Sequence, residues 1–178
     1  MAEQPRGELR EYIGKPGTDG SPPAVFTRLA KGFTTMSGAM NPQVLTITYI
    51  DDYSSTTTTG FEPEWSIDGN IYTGDPVNDM LHEMTWEMAK GDDAILYLLR
   101  VMMWHDGEEP DSYKAKRHRC NWAPDSDGGG AGGENNTFSG TLQAKGHPSF
   151  GSAKITLDTG VVPHVETAVF IPGAGEHV

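Results

Sequence analysis

Residues 94–104 read AILYLLRVMMW and form the longest apolar run of the chain. Apolar side chains occupy both alternating sets of positions, which is typical of a strand that is buried on both faces. Gly91 before the run and Asp106-Gly107 after it are turn signals that limit its length. Arg100 interrupts the run, which is too short to span a membrane in any case. A doubly buried strand is therefore predicted here, and no membrane insertion.

Other stretches have shorter strand patterns. In 44–50, Leu45, Ile47 and Tyr49 alternate with threonines among β-branched and aromatic residues. Pro63 favours an edge or bulged strand in 61–67. The Gly-rich residues 125–136 are predicted to be a hairpin loop. The predicted strands are 44–50, 61–67, 94–104, 113–122, 137–145 and 152–157.

One amphipathic helix is predicted at about 76–89. Asp75 supplies an N-cap and Pro76 the first helical residue, while Lys90 and Gly91 supply a positive last turn and a stop. Apolar residues at helical spacing form one packed face, made of Val77, Met80, Leu81, Met84 and Met88. The predicted fold class is mainly β: a β-sandwich or barrel-like core with one packed α-helix, a long protruding hairpin loop and extended terminal arms.

The length of 178 residues fits a single domain. Residues 1–24 mix Pro, Gly and charge without periodicity, so we expect an N-terminal arm that does not pack by itself. Residues 25–159 are expected to form the β-rich domain. Residues 160–178 are expected to be a C-terminal arm, although the apolar stretch 168–171 fits either a terminal strand or an arm that docks on a neighbour.

The formal net charge is −12. A chain this acidic does not bind nucleic acid by neutralising phosphates, because that binding needs Lys and Arg to release counterions. The single cysteine, Cys120, excludes an intrachain disulfide and a zinc site built from cysteines. The first twelve residues lack the apolar stretch of a signal peptide, so we expect a soluble, cytoplasmic-type protein.

No motif predicts an enzyme, a metal site or a cofactor site. His82-Glu83 begins like a metalloprotease helix, but Trp86 stands where the second histidine would be needed. Cys120 follows the basic cluster 114–119, but the sequence does not place a histidine base beside it. Charges of this cluster fall on both faces of a strand, which favours pairing with carboxylates over a nucleic-acid groove. The candidate partners of the basic cluster are the carboxylates of Glu108, Glu109 and Asp111.

Residues 51–60, DDYSSTTTTG, favour extended backbone but offer no hydrophobic face to bury. They fit an exposed hairpin tip. They also fit a protruding β-hairpin that becomes ordered only against a partner surface. These two interpretations remain open at this point.

Seven segments, taken in order, resemble the tail tube (major tail) proteins of long, flexible-tailed bacteriophages. The segments are YIGK at 12–15, FTRLAKGFT at 26–34, MNPQ at 40–43, YIDD at 49–52, FEP at 61–63, YTGDPV at 72–77 and FSGTLQAKG at 138–146. The similarity spans about residues 10–158, and residues 160–178 have no counterpart.

The resemblance implies subunits that join into hexameric rings, which stack into a hollow tube through which double-stranded DNA passes without specific binding. It implies a virion-tail protein that is assembled in the host cytoplasm, with no catalytic residue. The implied partners are further copies of the chain together with the tape measure, tail terminator and distal tail proteins. The negative net charge fits this interpretation, because an acidic channel repels phosphates.

By family analogy, the segment after Ile50 is the hairpin that reaches the adjacent ring. Its residues are Asp51, Asp52, Tyr53, Ser54, Ser55, Thr56, Thr57, Thr58, Thr59, Gly60 and Phe61. Four carboxylates around it are candidates to face the channel: Asp51, Asp52, Glu62 and Glu64.

Two alternatives remain. One is a tube protein of a contractile injection machine, such as a type VI secretion system. The other is a carbohydrate- or receptor-binding β-sandwich, in which Trp65, Trp104 and Trp122 would stack on sugars.

Overall fold

The computed structural model describes residues 6–48, 54–158 and 165–173. The described residues are mainly β, with one α-helix, which confirms the predicted fold class. The elements are β1 (Leu9–Gly14), β2 (Phe26–Arg28), β3 (Phe33–Ala39), β4 (Pro42–Ile47), β5 (Ser55–Phe61), β6 (Glu64–Asn70), α1 (Pro76–Trp86), β7 (Ile95–Asp106), β8 (Tyr113–Ser126), β9 (Thr137–Ala144), β10 (Ser149–Asp158) and β11 (Val165–Pro172). Short 3-10 helices lie at Arg6–Glu8 and Gly91–Ala94.

Six antiparallel strands close into a barrel in the order β10, β11, β2, β1, β7 and β8. The barrel closes because β10 pairs back onto the first part of β8, where Ser149 lies opposite Arg117 and Ala153 lies opposite Tyr113. The interior is a buried apolar cluster of Tyr12, Phe26, Tyr97, Leu99, Val101, Ala115, Ala153, Ala168 and Phe170.

The later part of β8 leaves the barrel and pairs with β9, which begins an outer layer that continues through β6 to β3. Strand β8 is thus shared between the barrel and the outer layer. A second buried cluster, the outer core, includes residues of the barrel's outer face, the outer strands and α1. Its buried members are Ile13, Trp65, Ile67, Val77, Leu81, Met84, Leu96, Leu98, Cys120, Trp122, Phe138 and Leu142.

Strand β7 separates the two clusters. Leu96 and Leu98 belong to the outer core, whereas Tyr97 and Leu99 lie inside the barrel. This arrangement explains the run of apolar residues at consecutive positions and confirms the prediction of a doubly buried strand.

The expectation that residues 1–24 do not pack is wrong for β1. Its six residues all pair with β7, and Tyr12 and Ile13 are buried on opposite faces of the barrel wall. The Pro and Gly residues that suggested an arm lie after β1, in the loop before β2. At the other end, Val165–Pro172 forms β11 in the barrel, so the terminal-strand alternative holds for these residues.

The predicted N-cap of the helix is confirmed. The Asp75 side chain accepts hydrogen bonds from the backbone N–H groups of Val77 and Asn78. The predicted end is wrong, however. Helix α1 ends at Trp86, and Met88 has a left-handed backbone conformation (φ 51°) and a side chain that is 80% exposed. Because the helix stops before it, Met88 does not extend the packed face.

Within the helix, the predicted face packs as expected: Val77, Leu81 and Met84 are buried and Met80 is half-buried against them. Two polar residues, Asn78 and Thr85, are buried as well. The helical spacing of apolar residues does not predict the burial of these two, because it depends on their hydrogen bonds to residues of the sheet.

Candidate assembly surface

Strands β4 and β5 pair only with each other among the described residues and form a two-stranded sheet apart from the nine-stranded one. We call this pair the arm. Nearly every residue of both strands is exposed. The predicted protruding hairpin is therefore present, but it begins earlier than expected, at Pro42. Residues 44–47, which the pattern indicated as an ordinary strand, form one half of the arm.

The arm is a direct continuation of β3 and β6. Ala39 lies opposite Glu64 and, three residues further along, Pro42 lies opposite Phe61, so the pairing register is kept across the junction. We call residues 39–42 and 61–64 the arm root. At the root, Asn41 has a left-handed backbone (φ 41°), and its side-chain amide donates to a Glu62 carbonyl 3.2 Å away.

The arm carries no charged side chain in its described strands, yet it exposes large apolar ones. Val44 and Leu45 are each 52% exposed, and Ile47 and Phe61 are comparably open. Leu45 and Ile47 share one face of the ribbon, because they lie two residues apart in β4. Exposed apolar surface of this kind favours an interaction site. The sequence pattern alone did not reveal it, because these residues read as core positions of a strand.

The threonine-rich strand β5 pairs through side chains as well as backbone. The hydroxyls of Thr46 and Thr56 are 3.3 Å apart, and the Thr59 hydroxyl donates to the Gln43 carbonyl at 3.2 Å. These bonds satisfy part of the polar surface of the arm without burying it. The run of threonines therefore favours an extended ribbon that stands in solvent.

The free edge of the sheet continues into the arm. Strand β3 is the last strand of the nine-stranded sheet, and β4 follows it directly, so residues 33–47 present an outer edge without a strand partner in the described ranges. No charged residue occurs in this segment. Natural proteins usually protect open edges with charges, so an uncharged edge of this length is suited to pair with another chain.

The predicted inter-ring hairpin residues fall into two groups. Asp51, Asp52 and Tyr53 lie outside the described residues. Ser54 is exposed just before β5, and Ser55, Thr56, Thr57, Thr58, Thr59, Gly60 and Phe61 form β5. Of the four predicted channel acids, Glu62 and Glu64 lie at the arm root on either side of Pro63. Their orientation toward a channel stays a prediction.

A second exposed apolar feature lies at the end of α1. Trp86 is 71% exposed, and Met88 borders a groove of about 720 Å³ whose wall includes Met84, Lys90 and Arg119. The helical spacing predicts Met88 on the packed face of the helix and no packing role for Trp86. Both side chains are open in the single chain, so they are available to a partner.

The aromatic residues of the sugar-binding alternative are poorly placed for it. Trp65 and Trp122 are buried in the outer core, so neither ring presents a face to a ligand. Trp104 is half-buried and tilted against His105, with ring centroids 6.3 Å apart.

The basic cluster on β8 is used within the fold. The Arg117 guanidinium lies over Phe170, 4.6 Å from the ring centroid, and Arg119 is 3.8 Å from an Asp92 carboxylate oxygen. The expected pairing with carboxylates therefore occurs for Arg119, but with Asp92 rather than with the acids that follow β7. His118 of the same strand is buried.

The single cysteine is not placed to act as a nucleophile. Cys120 is buried, and burial raises the pKa of its thiol to about 12, although a backbone hydrogen bond partly opposes this shift. Among the described residues, no group of three or more His, Cys, Asp or Glu side chains is arranged to hold a metal ion. Within the same ranges, no helix has the length and apolar character that a bilayer span requires.

Two solved structures of gene transfer agent particles contain chains with a similar architecture. A chain in the tail of an empty gene transfer agent particle, computed with helical refinement and C6 symmetry, superposes with a TM-score of 0.56 at 13% identity, covering 83% of this chain and 98% of that chain. A chain in the virion of a native gene transfer agent particle gives a TM-score of 0.51 at 12% identity, with the same coverage. No family model and no curated protein matches. At these identities, the comparisons establish that the chain shares the fold of these particle subunits.

Proposed function

We propose that this chain is a structural tail tube protein, whose copies form hexameric rings that stack into a hollow tube for DNA passage. The observation that carries the proposal is the arm, an uncharged two-stranded ribbon that exposes apolar side chains and an unprotected edge. A solitary two-stranded ribbon is marginally stable in water. It gains stability when a second copy covers it.

The similarity to chains in gene transfer agent particles supports the same proposal, and one of those particles was computed with C6 symmetry. A contact between the arm of one copy and a different surface of the next is heterologous. Such contacts do not close when they repeat along an axis, so they generate a filament. Side-by-side contacts through the edge of β3 would close each ring.

The charge of the chain supports passage of DNA rather than its capture. With a formal net charge of −12, a channel built from many copies repels phosphates and lets the duplex slide. On this proposal the channel acids are Asp51, Asp52, Glu62 and Glu64. The tape measure, tail terminator and distal tail proteins would contact the tube at its lumen and its ends.

The experiment is a replacement within the arm. Residues 54–59 are exchanged for a Gly-Ser segment of equal length, and concentrated protein is examined by negative-stain electron microscopy. We expect the unaltered protein to form long tubes with a central channel. The variant should remain β-rich and soluble, because the arm contributes nothing to either buried cluster, but it should form no long tubes.

A matched control replaces residues 128–133, the Gly-rich and exposed loop between β8 and β9, with another Gly-Ser segment. This control should polymerise normally.

Protease protection supplies an independent measurement: residues 54–59 should be cut in the monomer and spared in tubes, as expected for a segment that becomes ordered on binding. If the arm variant forms tubes of normal length, the arm is an ordinary surface loop and the proposal fails.

A further inference from the structure

Beside the arm root, one buried aromatic residue packs the strands that lead into the arm onto β8. Trp65 lies two residues after Pro63 in β6 and is 1% exposed. Across the ribbon it lies opposite Gly38, where an added Cβ would lie only 2.7 Å from the indole Cδ1 atom. The bare glycine therefore lets the indole lie close against β3. Trp65 therefore belongs to one of the two strands that lead into the arm, β6, and packs against the other, β3.

Trp65 packs in turn against His118 of β8. The two ring centroids are 4.7 Å apart, and the rings meet edge to face at 61°. His118 is 2% exposed, and its buried Nε2 atom has no hydrogen-bond partner among the described residues. A neutral imidazole tolerates this site. An imidazolium would not, because both of its nitrogens carry protons that require acceptors and its charge would be desolvated.

The charges around this contact disfavour a proton on His118. Burial contributes most, and Lys116 of the same strand and Arg100 of β7 add repulsion; together they lower the pKa of His118 to about 4. Arg100 also lies over Trp65, with its Cζ atom 5.7 Å from the ring centroid. On β1, the Glu11 carboxylate accepts a hydrogen bond from the Arg100 guanidinium at 3.4 Å. On β6, the residue that contacts His118 is the uncharged Trp65.

We propose that the contact between His118 and Trp65 is an acid-sensitive latch on the arm root. Protonation of His118 expels the imidazole from beneath Trp65, which frees β3 and β6 at the root while the barrel stays closed. The barrel is spared because its interior cluster contains neither residue. The latch concerns the single chain and does not depend on the proposed tube.

Hydrogen exchange of the whole chain, followed by mass spectrometry from pH 7 to pH 4 and corrected for intrinsic rates, tests the latch. If opening is coupled to one proton on His118, each unit by which the pH falls should raise the opening constant of residues 33–42 and 61–70, which comprise β3, β6 and the arm root, about tenfold. This rise should span the interval between the pKa of free histidine, about 6.5, and the pKa of His118 in the folded chain, about 4. Strands β1, β2, β10 and β11 should keep their protection over this range.

Four variants make the test specific. His118→Phe keeps an aromatic ring beside Trp65 without a titrating group, so the pH dependence at the root should vanish; His118→Gln serves the same purpose if the first variant does not fold. Glu11→Gln and the exposed-site control His147→Gln should both retain the dependence. The latch is refuted if the root of the wild type shows no acid-induced opening, or if His118→Phe opens like the wild type. It is also refuted if Glu11→Gln abolishes the effect, or if the barrel strands lose their protection over the same pH range as the root.

Discussion

The Tyr12 hydroxyl donates a 2.5 Å hydrogen bond to the Glu166 carboxylate, which joins the first strand of the barrel to the last. The same carboxylate accepts from Arg10 at 2.8 Å and from Arg28 at 3.1 Å, so one side chain of β11 holds three side chains from β1 and β2. Residues 156 positions apart are thereby fixed together.

Glu166→Gln should destabilise the fold at neutral pH. The substitution removes the charge that two half-buried guanidinium groups face, and unsatisfied groups of this kind cost about 1–3 kcal/mol. Urea unfolding at pH 7 should show this loss, with Glu109→Gln, at an exposed position after β7, as the control. Equal midpoints for the two variants would show that the cluster contributes nothing to stability.

The advantage of the wild type over Glu166→Gln should shrink in acid. Burial favours a higher pKa for Glu166, but the hydrogen bond from Tyr12 and the charges of Arg28 and Arg10 outweigh it and hold the pKa below its usual value. A carboxyl group with a lowered folded-state pKa stabilises fully above its unfolded pKa, about 4, and loses this contribution as pH falls through the folded value. Unfolding curves measured from pH 7 to pH 3 would contradict the assignment if the difference stayed constant.

Thr85→Val should destabilise the packing of the helix against the outer core. The Trp122 indole N–H donates to the Thr85 hydroxyl at 3.0 Å, and this hydroxyl donates to the Leu81 carbonyl at 2.7 Å. Valine keeps the shape but leaves the buried indole N–H unpaired, at a cost of about 1–3 kcal/mol. Thr85→Ser retains the hydroxyl and is the control. Thermal or urea unfolding should rank the wild type above serine and serine above valine.

Gly140→Ala should disturb the same indole from its other side. An added Cβ at Gly140 would lie 2.4 Å from the Cη2 atom of Trp122, which must then move within a packed core. Overpacking of this kind costs about 1–3 kcal/mol. Gly132→Ala is the control, because an added Cβ there meets nothing within 4 Å. Similar stability of the two variants, measured by urea unfolding, would mean that the core yields easily at Trp122.

Charge reversal of the four predicted channel acids should make tubes bind DNA. Asp51, Asp52, Glu62 and Glu64 are replaced together by lysine, and retention of DNA on a gel is measured at low salt, where phosphate contacts are strongest. A control with the same change in net charge replaces Asp92, Asp93, Glu108 and Glu109, which are exposed elsewhere. Folded tubes of the first variant that retain no more DNA than the control would place the four acids away from the channel.

Local patterns predicted the elements whose burial depends on their own residues. Strand β7 is apolar at consecutive positions because it separates two cores, and the Asp75 cap depends on the next three residues alone. Strands β1 and β2 were not predicted as elements of the core, and β11 was predicted only as one of two alternatives for residues 168–171. They are short or lie beside Pro- and Gly-rich segments, and their partners are distant in sequence.

The candidate assembly surface was predicted only in part. The threonine run indicated a protruding hairpin, since it has no face to bury. The first strand of the arm was not predicted to protrude, because Val44, Leu45 and Ile47 have the composition of a core strand, and composition does not distinguish a core from an uncovered interface. The end of the helix was extended too far because Met88 continues the periodicity after the backbone has left it.

The sharing of β8 between barrel and outer layer has a mechanical consequence. Tension applied to the arm passes along β3 and β6 to β9 and then into β8, whose backbone is also part of the barrel wall. No step in this route relies on side-chain contact alone, because each consists of paired backbone or of the covalent chain itself. While this strand pairing holds, the barrel and the outer layer therefore follow a pull on the arm as one piece.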